Sequence, residues 1–169
     1  MKMTSAQAAK ELRSLKEQFE ALQAMENKSR EFVAAIQEDM EKVRPAYDFS
    51  SKQDELNAIE DRIRALKHSI NQFNISQTVP GFDMTIDQML VYIPQLTGRK
   101  KKLDHMRKRL PRERKDDGFG RSGNVIEYKY ANYDIAQAES AYRRTAEELT
   151  KAQNALDAIN NTVEFDVNI

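Results

Sequence analysis

The chain has 169 residues, a formal net charge of zero, 32% charged and 40% hydrophobic residues, five Gly, four Pro and no Cys. The lack of cysteine excludes a disulfide framework and thiolate chemistry and points to a reducing, cytoplasmic setting. So few glycines and prolines imply long elements, and a compact α/β enzyme carries more apolar residues and more glycine.

The first element reads as one helix over about 4–43. Stepping by three and four from Ala8 meets Leu12, Leu15, Phe19, Leu22, Glu26, Ser29, Val33, Ile36, Met40 and Val43. That is a coiled-coil seam interrupted at Glu26 and Ser29. Arg44-Pro45 ends it, because the residue before proline avoids the helical region. Residues 1–44 are thus expected to form a long N-terminal coiled-coil helix, and 45–169 a helical core. Ser51 with Asp54 marks a second helix to about Asn71, with Leu56, Ile59, Ile63, Leu66, Ile70 and Phe73 on its stripe. Asn71, Asn74, Ser76, Gln77 and Thr78 form a polar stretch at its end, and Pro80-Gly81 signals a turn.

Thr85 and Gln88 form a capping box opening a third helix over 85–110. Its stripe is Ile86, Met89, Ile93, Leu96, Lys100, Leu103, Arg107 and Leu110. Pro94 is expected to kink this helix, and Pro111 to end it. Residues 111–124 are polar with three glycines and read as a mobile loop. The period then changes to two: Ile126, Tyr128 and Tyr130 oppose Glu127 and Lys129, as in a strand. Asp134 caps a fourth helix along Ile135, Ala138, Tyr142, Thr145, Leu149, Ala152, Leu156 and Ile159. The tail alternates again, Val163, Phe165, Val167 and Ile169 against polar neighbours, and reads as a second strand.

The expected fold is therefore mainly α, with antiparallel helical hairpins and a small two-stranded β element near the C-terminus. Narrow apolar stripes are unstable without a partner helix, and an apolar edge strand invites pairing. Both point to a homo-oligomer. The longest apolar run, Met89–Ile93, is far too short to span a membrane, so no membrane partner is expected.

Catalytic and metal signatures are missing. His68 and His105 are far apart and lack Glu-x-x-His or His-x₃-His partners, so no metal and no cofactor are expected. No Walker loop, G-x-G-x-x-G or G-x-S-x-G is present, which favours a non-enzymatic protein. The prominent feature is charge clustering. Between residues 99 and 115 stand ten Lys/Arg against Asp104 and Glu113, a net of +8 that leaves −8 for the remainder. Arg forks match phosphate oxygens, and nearby tyrosines offer stacking faces. Arg99, Lys100, Arg107, Arg109, Arg112, Arg114, Tyr128 and Tyr130 are accordingly the candidate ligand-binding residues, with Phe119 and Arg121 close by. The alternative is a solvated basic face matched to acidic neighbours or to an acidic partner protein.

Residues 54–169 also resemble the septicolysin-like family of small, largely uncharacterised bacterial and phage helical proteins. The resemblance lies in INQFNISQT (Ile70 to Thr78, with Phe73 where the family has Thr), in MTIDQML before a basic Leu-spaced helix, and in IEYKY…D before a helix ending QNALDAINNTVEF. It implies a self-associating helical protein and supplies no catalytic residues. The expected function is non-enzymatic binding of a phosphate-bearing ligand, a nucleotide signal or nucleic acid. A phage-encoded protein that sequesters a nucleotide between subunits is one concrete version. The runner-up is a structural coiled-coil scaffold.

Overall fold

The computed structural model describes residues 1–115 and 126–169. The element order is β1 (Lys2–Thr4), α1 (Ser5–Ser29), α2 (Met40–Val43), α3 (Phe49–Ser76), α4 (Ile86–Arg107), β2 (Arg112–Arg114), β3 (Tyr128–Tyr130), α5 (Ile135–Thr162) and β4 (Glu164–Asp166). The protein is mainly helical, at 67% of the described residues. The chain divides into two compact units, 1–77 with 157–169, and 78–156.

In the first unit, Thr4 and Gln7 exchange side-chain and backbone hydrogen bonds in a capping box that starts α1. α1 and α3 run antiparallel, since Glu11 meets Arg62 at 3.4 Å and Glu26 accepts from Gln53 at 2.8 Å. Their seam is apolar. Ala8, Leu15 and Leu66 are fully buried beside Val167, and Leu12, Ile63, Ile70 and Phe165 pack around them. Phe73 stacks on Phe165 with ring centroids 4.5 Å apart.

The helix expected over 4–43 stops at Ser29. Among the described residues, 30–43 are helical only in the single turn of α2. Val33 and Ile36 stand 95% and 105% exposed, so the stripe has no partner there. The cause lies in α3. Glu26 already meets Gln53 and Tyr47, near the start of the partner helix, and an unsupported amphipathic helix melts. α3 is longer than expected at both ends. Asp48, not Ser51, caps it, accepting from the Ser51 N–H at 3.1 Å. With no breaker before Pro80, the helix continues to Ser76, whose hydroxyl folds back on the Gln72 carbonyl. Asn74 and Ser76, expected beyond the helix end near Asn71, are therefore helical residues.

The two expected strands do not pair with each other. β4 pairs antiparallel with β1, and β3 with β2, making two separate two-stranded sheets. β1 is three residues long, too short for alternation to show. β2 is Arg-Glu-Arg, exposed at all three positions and without an apolar alternation to announce it. It replaces the start of the expected 111–124 loop. Residues 116–124, with Phe119 and Arg121, lie outside the described residues, as does Val125.

The second unit opens on a tight turn. Phe82 N–H donates to the Val79 carbonyl, Pro80 occupies the second turn position, and Gly81 takes φ +80°. That is the pattern of a type II turn, where only glycine meets no steric penalty. Thr85 and Gln88 form the expected capping box, and α4 continues through Pro94. α4 and α5 are antiparallel: Tyr92 bonds to Glu148, while Arg107 reaches Glu139 and Tyr142. Asp134 receives the N–H groups of Ala136 and Gln137 at the start of α5.

Candidate functional site

α4 and α5 carry two different side-chain sets along their common seam. One set is self-neutralising. Arg107 donates to Asp104 (2.8 Å from Nε) and Glu139 (3.1 Å), and its guanidinium lies 4.0 Å from the Tyr142 ring centroid. Lys108 also pairs with Asp104, and Arg143 with Glu139. Hydrogen bonds from Lys108 and Arg107 hold the Asp104 carboxyl below its ordinary range, and those from Arg143 and Arg107 do the same for Glu139. The same bonds push the Arg107 guanidinium upward. These cations are spent inside the protein.

The other set faces an open groove of about 490 Å³. α4 contributes Arg99, Lys102, Leu103 and Met106, and α5 contributes Ala141, Arg144, Thr145 and Glu148. Both quartets follow i, i+3, i+4, i+7, the spacing of one helix face. The edges are cationic and the floor is largely apolar. Arg99, Lys102 and Arg144 have no carboxylate partner within 4.0 Å among the described residues. The groove's carboxylate, Glu148, accepts from the Tyr92 hydroxyl. That bond, with partial burial, raises the Tyr92 phenol above its usual range.

A second basic surface is the β2–β3 ribbon. Arg112 stands opposite Tyr130 and Arg114 opposite Tyr128, with Glu113 and Lys129 between them. Directly opposed residues share a face, and alternate residues along a strand share it too. Two arginines and two tyrosines thus occupy one face. Arg112 Cζ lies 3.6 Å from the Tyr128 ring centroid, and the two tyrosine rings are 6.4 Å apart. Tyr130 is 66% exposed. It also lines a cavity of about 320 Å³ with Arg109, Leu110, Tyr133 and the two residues of the ribbon's other face, Glu113 and Lys129.

The sequence candidates therefore separate. Arg112, Arg114, Tyr128 and Tyr130 come together on the ribbon, and Arg99 lies in the groove. Arg109 pairs with Glu113 at 3.1 Å beside the ribbon. Arg107 is locked in the ion-pair cluster. Lys100 falls on the Asp104 and Arg107 side of α4, away from the groove. Lys102 and Arg144 were not among the candidates. Arg144 lies outside the 99–115 run, and its signal is the matched spacing of 99-102-103-106 and 141-144-145-148. His68 and His105 are both exposed, and no group of three or more His, Cys, Asp or Glu suited to a metal occurs among the described residues. Among the same residues, no helix is long and apolar enough to cross a membrane.

No family model and no curated protein matches this chain. Its fold is similar to the crystal structure of a functionally unknown conserved protein from Corynebacterium diphtheriae. The two share 18% sequence identity with a TM-score of 0.58, over 98% of this chain and 100% of that one. At that identity the likeness concerns the fold alone.

Proposed function

We propose that the protein is a non-enzymatic helical module that binds a phosphate-bearing ligand, a nucleotide or nucleic acid. The observation that carries this reading is the face shared by Arg112, Arg114, Tyr128 and Tyr130. Guanidinium groups satisfy phosphate oxygens in pairs, and an exposed phenol ring stacks on a base. The neighbouring groove adds Arg99, Lys102 and Arg144, which form no ion pair among the described residues. The test is a binding titration with nucleotides and short oligonucleotides at low salt. Affinity should fall with added salt, and Arg112→Glu with Arg114→Glu should weaken it at least tenfold, since each reversal removes a phosphate contact and adds repulsion.

The reading includes self-association. It is supported by Val33, Ile36, Met40 and Val43, apolar side chains that lie exposed in the segment after α1. A second copy, exposing the same apolar side chains, supplies a partner that would cover them. Sedimentation should then report a species heavier than one chain.

The pairing of Arg107, Lys108, Arg109 and Lys115 with carboxylates favours a second reading, a scaffold whose remaining basic face meets an acidic protein. Failure of every phosphate ligand to bind would leave that reading standing.

A further inference from the structure

We propose that the α4–α5 groove, together with the cavity at the β2–β3 ribbon, is a track for single-stranded nucleic acid. The inference rests on the phosphate-ligand reading above and names the class of ligand.

Continuity is the first argument. The groove shares Met106, Ala141 and Arg144 with a second open cavity, of about 410 Å³, along the same two helices. That cavity shares Tyr133 with the one beneath Tyr130. The Tyr133 hydroxyl donates to the Met106 carbonyl at 2.8 Å, which anchors the ring at the junction. Arg99 to Met106 alone covers about 10 Å of helix at 1.5 Å per residue, and the path continues to Tyr130. A single phosphate group cannot meet cations at both ends. A chain of phosphates can.

Charge and surface are the second argument. The carboxylates along the path are engaged: Glu148 by Tyr92, Asp134 by backbone N–H groups, and Glu113 by Arg109. Only Glu113 is neutralised, by Arg109; Glu148 and Asp134 keep their charge because their donors are neutral. Arg99, Lys102, Arg144 and Lys129 against those two leave a net of +2 along the path. Between the groove's cations Leu103, Met106 and Ala141 give a floor for the faces of unpaired bases, while the phosphates follow the charged edges. A duplex hides its base faces.

The test titrates the full chain with fluorescent oligothymidylates from one to about twelve nucleotides, a range that brackets common single-strand site sizes. Duplex DNA and polyglutamate serve as comparison ligands. Affinity should climb with length up to about four to six nucleotides and then level off. For the longer strands, log affinity against log salt should steepen by about −2 relative to the mononucleotide, at −0.7 for each of three groove contacts. Arg99→Glu with Arg144→Glu should weaken the longer strands about 100-fold and the mononucleotide by about tenfold or less, since one phosphate meets fewer of the groove's cations than a strand does. Both sites are on the surface, and circular dichroism verifies that the variant remains helical.

Equal affinity for one nucleotide and for twelve overturns the track and leaves the phosphate-ligand reading intact. Duplex or polyglutamate binding as tightly as the single strand also overturns the track. Absence of binding by any phosphate ligand overturns both readings at once.

Discussion

The α1–α3 pair and the α4–α5 pair are built alike and present different surfaces. Each is an antiparallel pair opened by a Thr–Gln capping box, with fully buried leucines at its seam, Leu15 and Leu66 in one and Leu96 in the other. Along α1–α3 the polar contacts across the seam join opposite charges or neutral partners, as in Glu11 with Arg62 and Glu26 with Gln53. Along α4–α5 the charges separate by face. Asp104, Arg107, Glu139 and Arg143 neutralise one another on one side, and Arg99, Lys102 and Arg144 line the groove on the other. Heptad spacing thus builds a helix pair, and the phase of its charges decides whether a face is left over for a ligand.

That contrast breaks if damage to the first pair abolishes ligand binding. Leu66→Ala should be the most damaging change, costing about 3 kcal/mol through lost burial and a cavity in the α1–α3 seam. Urea denaturation measures the loss. Affinity for a phosphate ligand, taken well below the melting temperature, should stay within about twofold if the site belongs to α4, α5 and the ribbon.

Gly81→Ala acts on the second unit. Its Cβ meets no atom within 4 Å, so the cost is that of φ +80° alone, about 1 kcal/mol. A thermal melt should show a drop of a few degrees.

Acid should sharpen the contrast further. Asp104 and Glu139 have folded pKa values below their unfolded ones, so their contribution is complete above the ordinary carboxylate range. It is lost as pH falls through the lowered folded values, on the acid side of the ordinary carboxylate range. In an Arg107→Gln variant, both carboxyls lose a donor and the acid-side decline in melting temperature should shrink. An unchanged decline would mean that the cluster does not titrate with folding.

The smallest effect on the single chain is expected from Val33→Ser with Ile36→Ser. These side chains are exposed, so chain stability should move by no more than about 0.5 kcal/mol. Sedimentation should nevertheless show weaker self-association, if these positions meet a second copy.

Much of the helical plan was legible in the chain. α4 and α5 begin where Thr85 and Asp134 predict, because a side-chain oxygen placed before an apolar stripe satisfies the free N–H groups of the first turn. Pro80-Gly81 makes its turn for an equally local reason. The candidate site was half legible. The basic run and the tyrosines are visible as composition, yet periodicity gives no hint that Arg107 is consumed by Glu139, thirty-two residues away.

By itself, then, the sequence determined where helices start, which faces are apolar and where positive charge collects, since all three depend on neighbours within a turn or two. Tertiary structure alone decided that α1 stops at Ser29, that β4 pairs with β1 and β3 with β2, and that Arg144 joins Arg99 and Lys102 across a groove. Each of those outcomes depends on a partner distant in the chain, and local patterning carries no information about which partner arrives.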